Sequence, residues 1–326
     1  MSRYGIEDLT VNINTVNRPD YLEASLRSVI KTTPAGASLQ IVFNGTPCDV
    51  RETTMAQASV WQGPTKFVHL DEIEPVDQSH NLALEGVSTP LVNFMGDDDV
   101  VLKSRFPAIL NAFNSIEPEP VVVTTFARRI AGDPFCPTIG PNKDLGPTNI
   151  AEWRSFQGEG KPYELLWPGS VLKTEALRNI GGFETSFAQS FDNRIFSQMS
   201  FLGPVISLPE RNFGFRIHQG SMSTSNWKAQ NEVVRYVAAC HTANVQGRDE
   251  PSFDEFQRAE AADPQHVQFR RQLRDRSRIH FRKGGALALS GQRVMGVANM
   301  AASALLWPPA FVEKVKDQIG NRDHRD

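Results

Sequence analysis

Cysteine is scarce in this chain, and the little there is carries no pattern. Cys48, Cys136 and Cys240 stand among 326 residues, an odd number with no CxxC pair. That excludes a disulfide framework and gives no sign of a structural zinc site. Net charge is nearly as scarce. The balance of 34 Lys and Arg against 37 Asp and Glu leaves −3, which gives no reason to expect a nucleic-acid partner. The first fifteen residues carry Arg3, Glu7 and Asp8 and lack an apolar h-region, so no signal peptide is expected and the cytoplasm is the default compartment. No internal repeat or low-complexity tract appears. What is present is ordinary for a globular protein, 40% hydrophobic and 22% charged, with length for one large α/β domain or a domain with an appendage.

The first 130 residues alternate strand and helix patterns. "LTVNINT" (Leu9 to Thr15) alternates apolar and polar, as a strand does. In the stretch that follows, Pro19 suits a first helical turn, Asp20 and Glu23 suit its positive end, and Leu22, Leu26, Val29 and Ile30 share one face. Further strands are expected at "LQIVF", "KFVHL", "PLVNFM" and "PVVVTTF", with helices around "SHNLALEG" and from Ser104 to Ser115. This order predicts a mostly parallel sheet covered on both faces, and ligands of such sheets bind beyond the carboxyl ends of the strands. Three polar turns fall at those ends: Asn17-Arg18, Asn44-Gly45 and the triplet Asp97, Asp98, Asp99. From Ala131 to Lys161 the chain is rich in Gly and Pro and reads as a long loop of the kind that covers sites. A mixed region follows to about Ser225. After Trp227 helices are expected, broken near Pro251, Pro264, Gly284-Gly285 and Pro308-Pro309.

Three adjacent carboxylates repel one another. An Asp-rich turn bonded to its own backbone is one reading. The other is a hard-oxygen site for Mg²⁺ or Mn²⁺, which keeps waters and shares its shell with substrate phosphates. The second reading predicts a diphosphate ligand above the strand ends.

"VNINTVNRPDYLEASLRSV", "IVFNGT", "SHNLAL", "NFMGDDDVVL", "GSVLKTEALRNIGGFE" and "FGFRIHQGSMS" follow one another in the order expected of a family-two glycosyltransferase, and the chain resembles that family from about Leu9 to Ser223. The resemblance implies a GT-A-type α/β fold with a C-terminal helical extension: a glycosyltransferase domain over 1–225, its nucleotide-sugar half over about 1–130 and its acceptor half over about 131–225, then a helical region over 226–326. It also implies a nucleotide-diphosphate sugar donor, a divalent metal, inversion at the anomeric carbon, and a glycan or lipid-linked acceptor of bacterial surface polysaccharide or glycolipid synthesis. Thr15, Asn17 and Arg18 would lie near the nucleotide. Asn44 takes a place where the family usually has an acid facing the base, which leaves the base open. His80 replaces an arginine near the diphosphate, where its charge would follow pH. The triplet would be the DxD element, with Asp97 toward the donor and Asp98 and Asp99 nearest the metal. His218 matches a position that can reach metal or diphosphate, and Arg216 is either structural or a phosphate partner. Trp167, Gly169 and Ser170 would meet the acceptor, Trp167 by stacking on a sugar unless it is core. Only Asp192 remains where the family has an acidic pair after GGF, so it is the expected general base, with Glu184 as rival; an N-terminal helix charge is the compatible alternative for Asp192.

Other readings stay open. A nucleotidyltransferase would carry a Gly-rich phosphate loop after the first strand, and "TVNRPD" has no glycine. A metal-dependent phosphohydrolase would place its nucleophile motif at that strand. A catalytically silent nucleotide-sugar or glycan-binding protein is compatible with the changes at Phe191, Asn44 and His80. Near the C-terminus, Pro264 to Lys283 holds six Arg and one Lys against one Asp, and Gly285 to Trp307 carries Arg293 as its single charge. The second stretch has the length of a span, but Ser290, Gln292, Asn299 and Ser303 interrupt it, so a helical hairpin turning near Gly291 is expected instead. Its basic helix would meet anionic lipid at the inner face of the membrane, or be a solvated face or an oligomer contact.

Overall fold

The expected alternation of Leu9–Thr15 is real, yet every residue of this strand, β1, is buried. Leu9, Val11 and Ile13 enter one apolar cluster. The polar residues between them point into a second buried layer, where Asn14 Nδ2 donates to Ser79 Oγ at 2.7 Å and Gln40 Nε2 donates to Asn12 Oδ1 at 3.2 Å. Alternation here separates two covered faces, not core from water. The same holds for β2 (Ser38–Asn44) and β4 (Leu91–Gly96): Ile41, Phe43, Leu91 and Met95 join the first cluster, Val42, Val92 and Phe94 the second.

The structure is a computed structural model describing residues 2–143, 145–158, 163, 165–185, 191–217, 227–289, 291–309, 311–312 and 315. Its strands continue with β3 (Thr65–Leu70), β5 (Val100–Val101), β6 (Val122–Ala131), β7 (Thr138–Lys143), β8 (Val171–Lys173) and β9 (Val205–Arg216). Eight of them follow the order β3-β2-β1-β4-β8-β6-β9-β5. The pairs β1–β2, β1–β4 and β2–β3 are parallel, and the register Asn44↔Leu70, Thr15↔Phe43 and Asn14↔Gly96 brings four carboxyl ends to one level. β8 runs antiparallel to β4 and β6, and β5 antiparallel to β9.

The helices flanking these strands are α1 (Pro19–Thr32), α2 (Cys48–Ala58), α3 (Val76–Glu85), α4 (Arg105–Ser115), α5 (Ile150–Gly158), α6 (Thr174–Asn179) and α7 (Phe191–Met199). The stretch expected to be a structureless loop after Ala131 therefore contains β7 and α5. Two compact units emerge: Met1–Arg129 with Lys143–Arg216, and Ile130–Asn142 with Ile217–Asp326.

The second unit holds α8 (Trp227–Val245), α9 (Phe253–Ala262), α10 (Gln265–Leu289) and α11 (Arg293–Leu306). The break expected at Gly284-Gly285 does not occur, because α10 runs straight through it. Each helical glycine costs about 1 kcal/mol against alanine, and Gly284 offsets that by close approach: a Cβ there would lie 2.9 Å from the Gly296 carbonyl oxygen on α11. The turn falls at Gly291, whose φ of +86° favours glycine. Among the described residues no helix is long and apolar enough to cross a membrane.

Candidate active site

The four parallel carboxyl ends are where the Asp triplet sits, and its three carboxylates lie in three different environments. Asp97 is fully buried and accepts a hydrogen bond from Thr15 Oγ1 at 2.6 Å. It also forms an ion pair with Arg18, whose Nη1 reaches Asp98 Oδ2 at 3.0 Å. Burial pushes the Asp97 carboxyl above the usual carboxylate range, with Arg18 pulling the other way. Burial likewise works against the charge of Arg18, but Asp97 and Asp98 outweigh it and hold the guanidinium above its ordinary value. Asp99 is buried, and its Oδ1 accepts from the Arg216 backbone N–H at 2.8 Å. The Arg216 Nε donates to the Asp98 carbonyl at 2.7 Å, so the end of β9 grips the triplet from its far side. Asp98 alone of the three is half-exposed. The repulsion that the sequence poses is thus resolved by separating the carboxylates and giving them cations and N–H donors.

The other residues expected at this site take different places around the edge. Asn17 is exposed with φ +46°, a left-handed turn that precedes Arg18 and the helix-starting Pro19. Asn44 is buried, and both ends of its carboxamide engage Glu74: Nδ2 donates to the Glu74 carbonyl at 2.9 Å and Oδ1 accepts from the Glu74 N–H at 2.7 Å. Its carboxamide is thus engaged by the loop between β3 and α3. His80 is enclosed by rings, with centroids 5.2 Å from Phe94, 5.0 Å from Phe183 and 5.6 Å from Phe191, and its Nδ1–H donates to the Val76 carbonyl. Burial lowers its pKa to about 4, the bond to Val76 opposing, so the ring is neutral at ordinary pH.

Trp167 packs edge-on to Phe183 and Phe191 at 5.4 and 5.3 Å and stacks with Phe94 at 6.0 Å, so most of its ring belongs to the core. Gly169 and Ser170 are buried, and their polar groups are engaged: Ser170 Oγ donates to the Leu166 carbonyl at 2.8 Å and Asn93 Nδ2 donates to the Ser170 carbonyl at 2.6 Å. Among the expected acceptor residues only Trp167 is half-exposed. Asp192 stands in the first turn of α7, half-exposed, next to the Phe191 ring that touches His80. Glu184, the rival base, pairs with the buried Arg194 at 3.0 Å. His218 lies outside the described residues. Among the described residues no group of three or more His, Cys, Asp or Glu side chains could hold a metal ion.

One residue of this edge escaped the sequence reading. Arg105, the first residue of α4, is fully buried. Its guanidinium lies between the rings of Phe106 and Phe213 at 4.8 and 4.9 Å, and Nη2 donates to the Gly169 carbonyl. Among the described residues Nε and Nη1 find no acceptor. Burial lowers its pKa to about 9, and Asp99 pulls the other way. The preceding Ser104 takes a left-handed φ of +67°, a strained conformation for serine that starts α4 with its first side chain turned inward. The available signal was spacing: Arg105, Ile109, Ala112 and Phe113 share the buried face of α4, so a charge sits on an apolar stripe.

No family profile and no curated protein matches the sequence. Solved structures do match. S. aureus TarS 1-349 in complex with UDP-GlcNAc superposes with a TM-score of 0.57 at 12% identity, over 95% of this chain and 92% of that chain. The fold is GT-A-like. The same TarS fragment in complex with UDP gives 0.54 at 12% over the same shares, and a further TarS 1-349 structure gives 0.55 at 13% over 91% and 90%. The expected fold class is thereby met, at 12% to 13% identity.

Proposed function

We propose that the chain is an inverting glycosyltransferase that moves a sugar from a nucleoside diphosphate to an acceptor hydroxyl, in bacterial surface polysaccharide or glycolipid synthesis. The observation that carries this is the Asp97–Arg18–Thr15 cluster beneath a half-exposed Asp98 at the common carboxyl edge of the parallel strands. The likeness to TarS bound to UDP-GlcNAc supports a nucleotide sugar as the ligand of that edge. Thr15, Asn17 and Arg18 form the turn for the nucleotide. Asp98, backed by Asp99, offers the hard oxygens that suit Mg²⁺ or Mn²⁺, an ion that completes its shell with waters and phosphate oxygens. An ion held by Asp98 and Asp99 would supply the positive charge that stabilises a departing diphosphate. Asp192 takes the proton of the acceptor hydroxyl as its oxygen attacks C1 from the face opposite the diphosphate. The displacement is a single step without a covalent enzyme intermediate.

A panel of nucleotide sugars, read by release of nucleoside diphosphate, tests the reaction class and identifies the sugar. Asp192→Asn is expected to lower turnover by about 100-fold or more while donor binding survives. Calorimetry should show UDP binding that needs Mn²⁺ or Mg²⁺ and weakens in Asp98→Ala. Binding unchanged in EDTA would refute the metal-dependent reading, and binding without release from any donor would make the protein a sugar-nucleotide receptor.

A further inference from the structure

The hairpin of α10 and α11 is built inside out. Its seam is small and polar: Gly284 meets Gly296, Ser277 Oγ donates to the Ser303 carbonyl at 2.9 Å, and His280 Nδ1 lies 3.0 Å from Asn299 Oδ1. The outer face of α11 is apolar. Val294, Val297, Ala298, Ala301 and Leu305 recur at helical spacing, all are exposed, and Val294, Val297 and Leu305 keep 85%, 69% and 84% of their surface. A surface helix ordinarily turns such a stripe inward, and contiguous exposed apolar patches mark interaction sites.

Charge is equally uneven. Residues 265–312 hold eight cations against one acid, Asp275, which is +7 within a chain of net −3, so everything else sums to −10. That one acid pairs with Arg235 of α8 at 2.8 Å, and Arg271 pairs with Glu260 at 3.2 Å and with Asp263. Among the described residues Arg274 and Arg278 form no ion pair, and their buried Nε atoms find no acceptor. Arg276 and Lys283 are exposed on α10, and Arg293 opens α11. A second copy would bring two strongly cationic hairpins together. An anionic lipid surface answers both features, taking the stripe into its headgroup boundary while its negative potential attracts the net positive charge of the hairpin.

We propose that the α10–α11 hairpin is a peripheral docking surface for an anionic membrane, lying on the lipid through the outer face of α11. This stands independently of sugar transfer. Flotation of the full chain with phosphatidylglycerol-containing vesicles should carry protein to the top of the gradient, while phosphatidylcholine alone and added salt leave it below. The double variant Val297→Glu, Leu305→Glu should weaken partitioning at least about 100-fold, and Arg276→Ala, Lys283→Ala by about 25-fold. All four residues are exposed, and unchanged circular dichroism confirms that the variants fold. A wild-type chain that stays below in anionic vesicles at low salt overturns the proposal. So do stripe variants that float like wild type, and so does a dimer that sedimentation finds in wild type and loses in the stripe variants without vesicle binding.

Discussion

The strand edge of the first unit and the helical hairpin of the second treat charge in opposite ways. At the strand edge Asp97, Asp99, Arg105 and Arg216 are drawn into the interior, each within reach of an opposite charge, an N–H donor or a carbonyl. In the hairpin glycine, serine and a histidine–asparagine pair lie inside, while cations and valines face out. Buried charge fixes geometry, because a guanidinium or carboxylate away from water tolerates few arrangements. Outward apolar surface fixes nothing until something covers it. The first pattern belongs to a site that must be preformed, the second to a surface completed by its partner.

Removing the innermost charge tests the comparison most severely. Asp97→Ala leaves the Thr15 hydroxyl without its acceptor and Arg18 with Asp98 alone, and should cost about 3–4 kcal/mol in urea unfolding. A loss below 1 kcal/mol would mean that the strand edge is no more rigid than a surface turn.

Acid provides the next test. His80 has its pKa lowered to about 4 from 6.5, so the folded state refuses a proton that the unfolded chain accepts. Its contribution is complete above pH 6.5 and falls as pH drops toward 4, by about 3 kcal/mol in all. His80→Phe should flatten that part of the stability–pH curve, whatever it does to stability at pH 7.

The smallest expected effect lies on the other side of the comparison. Arg276→Ala, on the exposed face of α10, should change unfolding free energy by less than about 0.5 kcal/mol in the absence of lipid. A large change would make the basic helix a packing element.

The sequence was most informative where hydrophobic period and turn chemistry agree. Leu9–Thr15, Pro19–Thr32 and the Asp triplet at the end of β4 were readable for that reason, and so was the turn at Gly291. α2 went unread because only Thr54 and Ala58 of its residues are buried, which leaves no stripe to detect. Gly284-Gly285 read as a break because local propensity says nothing of a neighbouring backbone at contact distance. At the site, the residue types of the triplet were visible but not their separation into a buried, a half-exposed and a backbone-gripped carboxylate, since that depends on Arg18 and on β9. Arg105 was missed because a charge at a helix start normally faces water. Asn44 and His80 were found by position, while their partners, the Glu74 backbone and a cage of aromatic rings, lie 30 residues away or on other elements.

The Asn44–Glu74 clip also constrains how this chain can vary. Asn44 reads the backbone of Glu74 and ignores its side chain, acting as one extra rung beyond the last β2–β3 pair, Asn44↔Leu70. Position 74 is therefore free to drift, and with it the chemistry that the loop between β3 and α3 shows to its surroundings. Position 44 is not free. Aspartate has no donor for the carbonyl, glutamine is a methylene too long, and alanine has neither group. A descendant of this protein could exchange the loop's side chains without losing the loop's place, provided the asparagine stays.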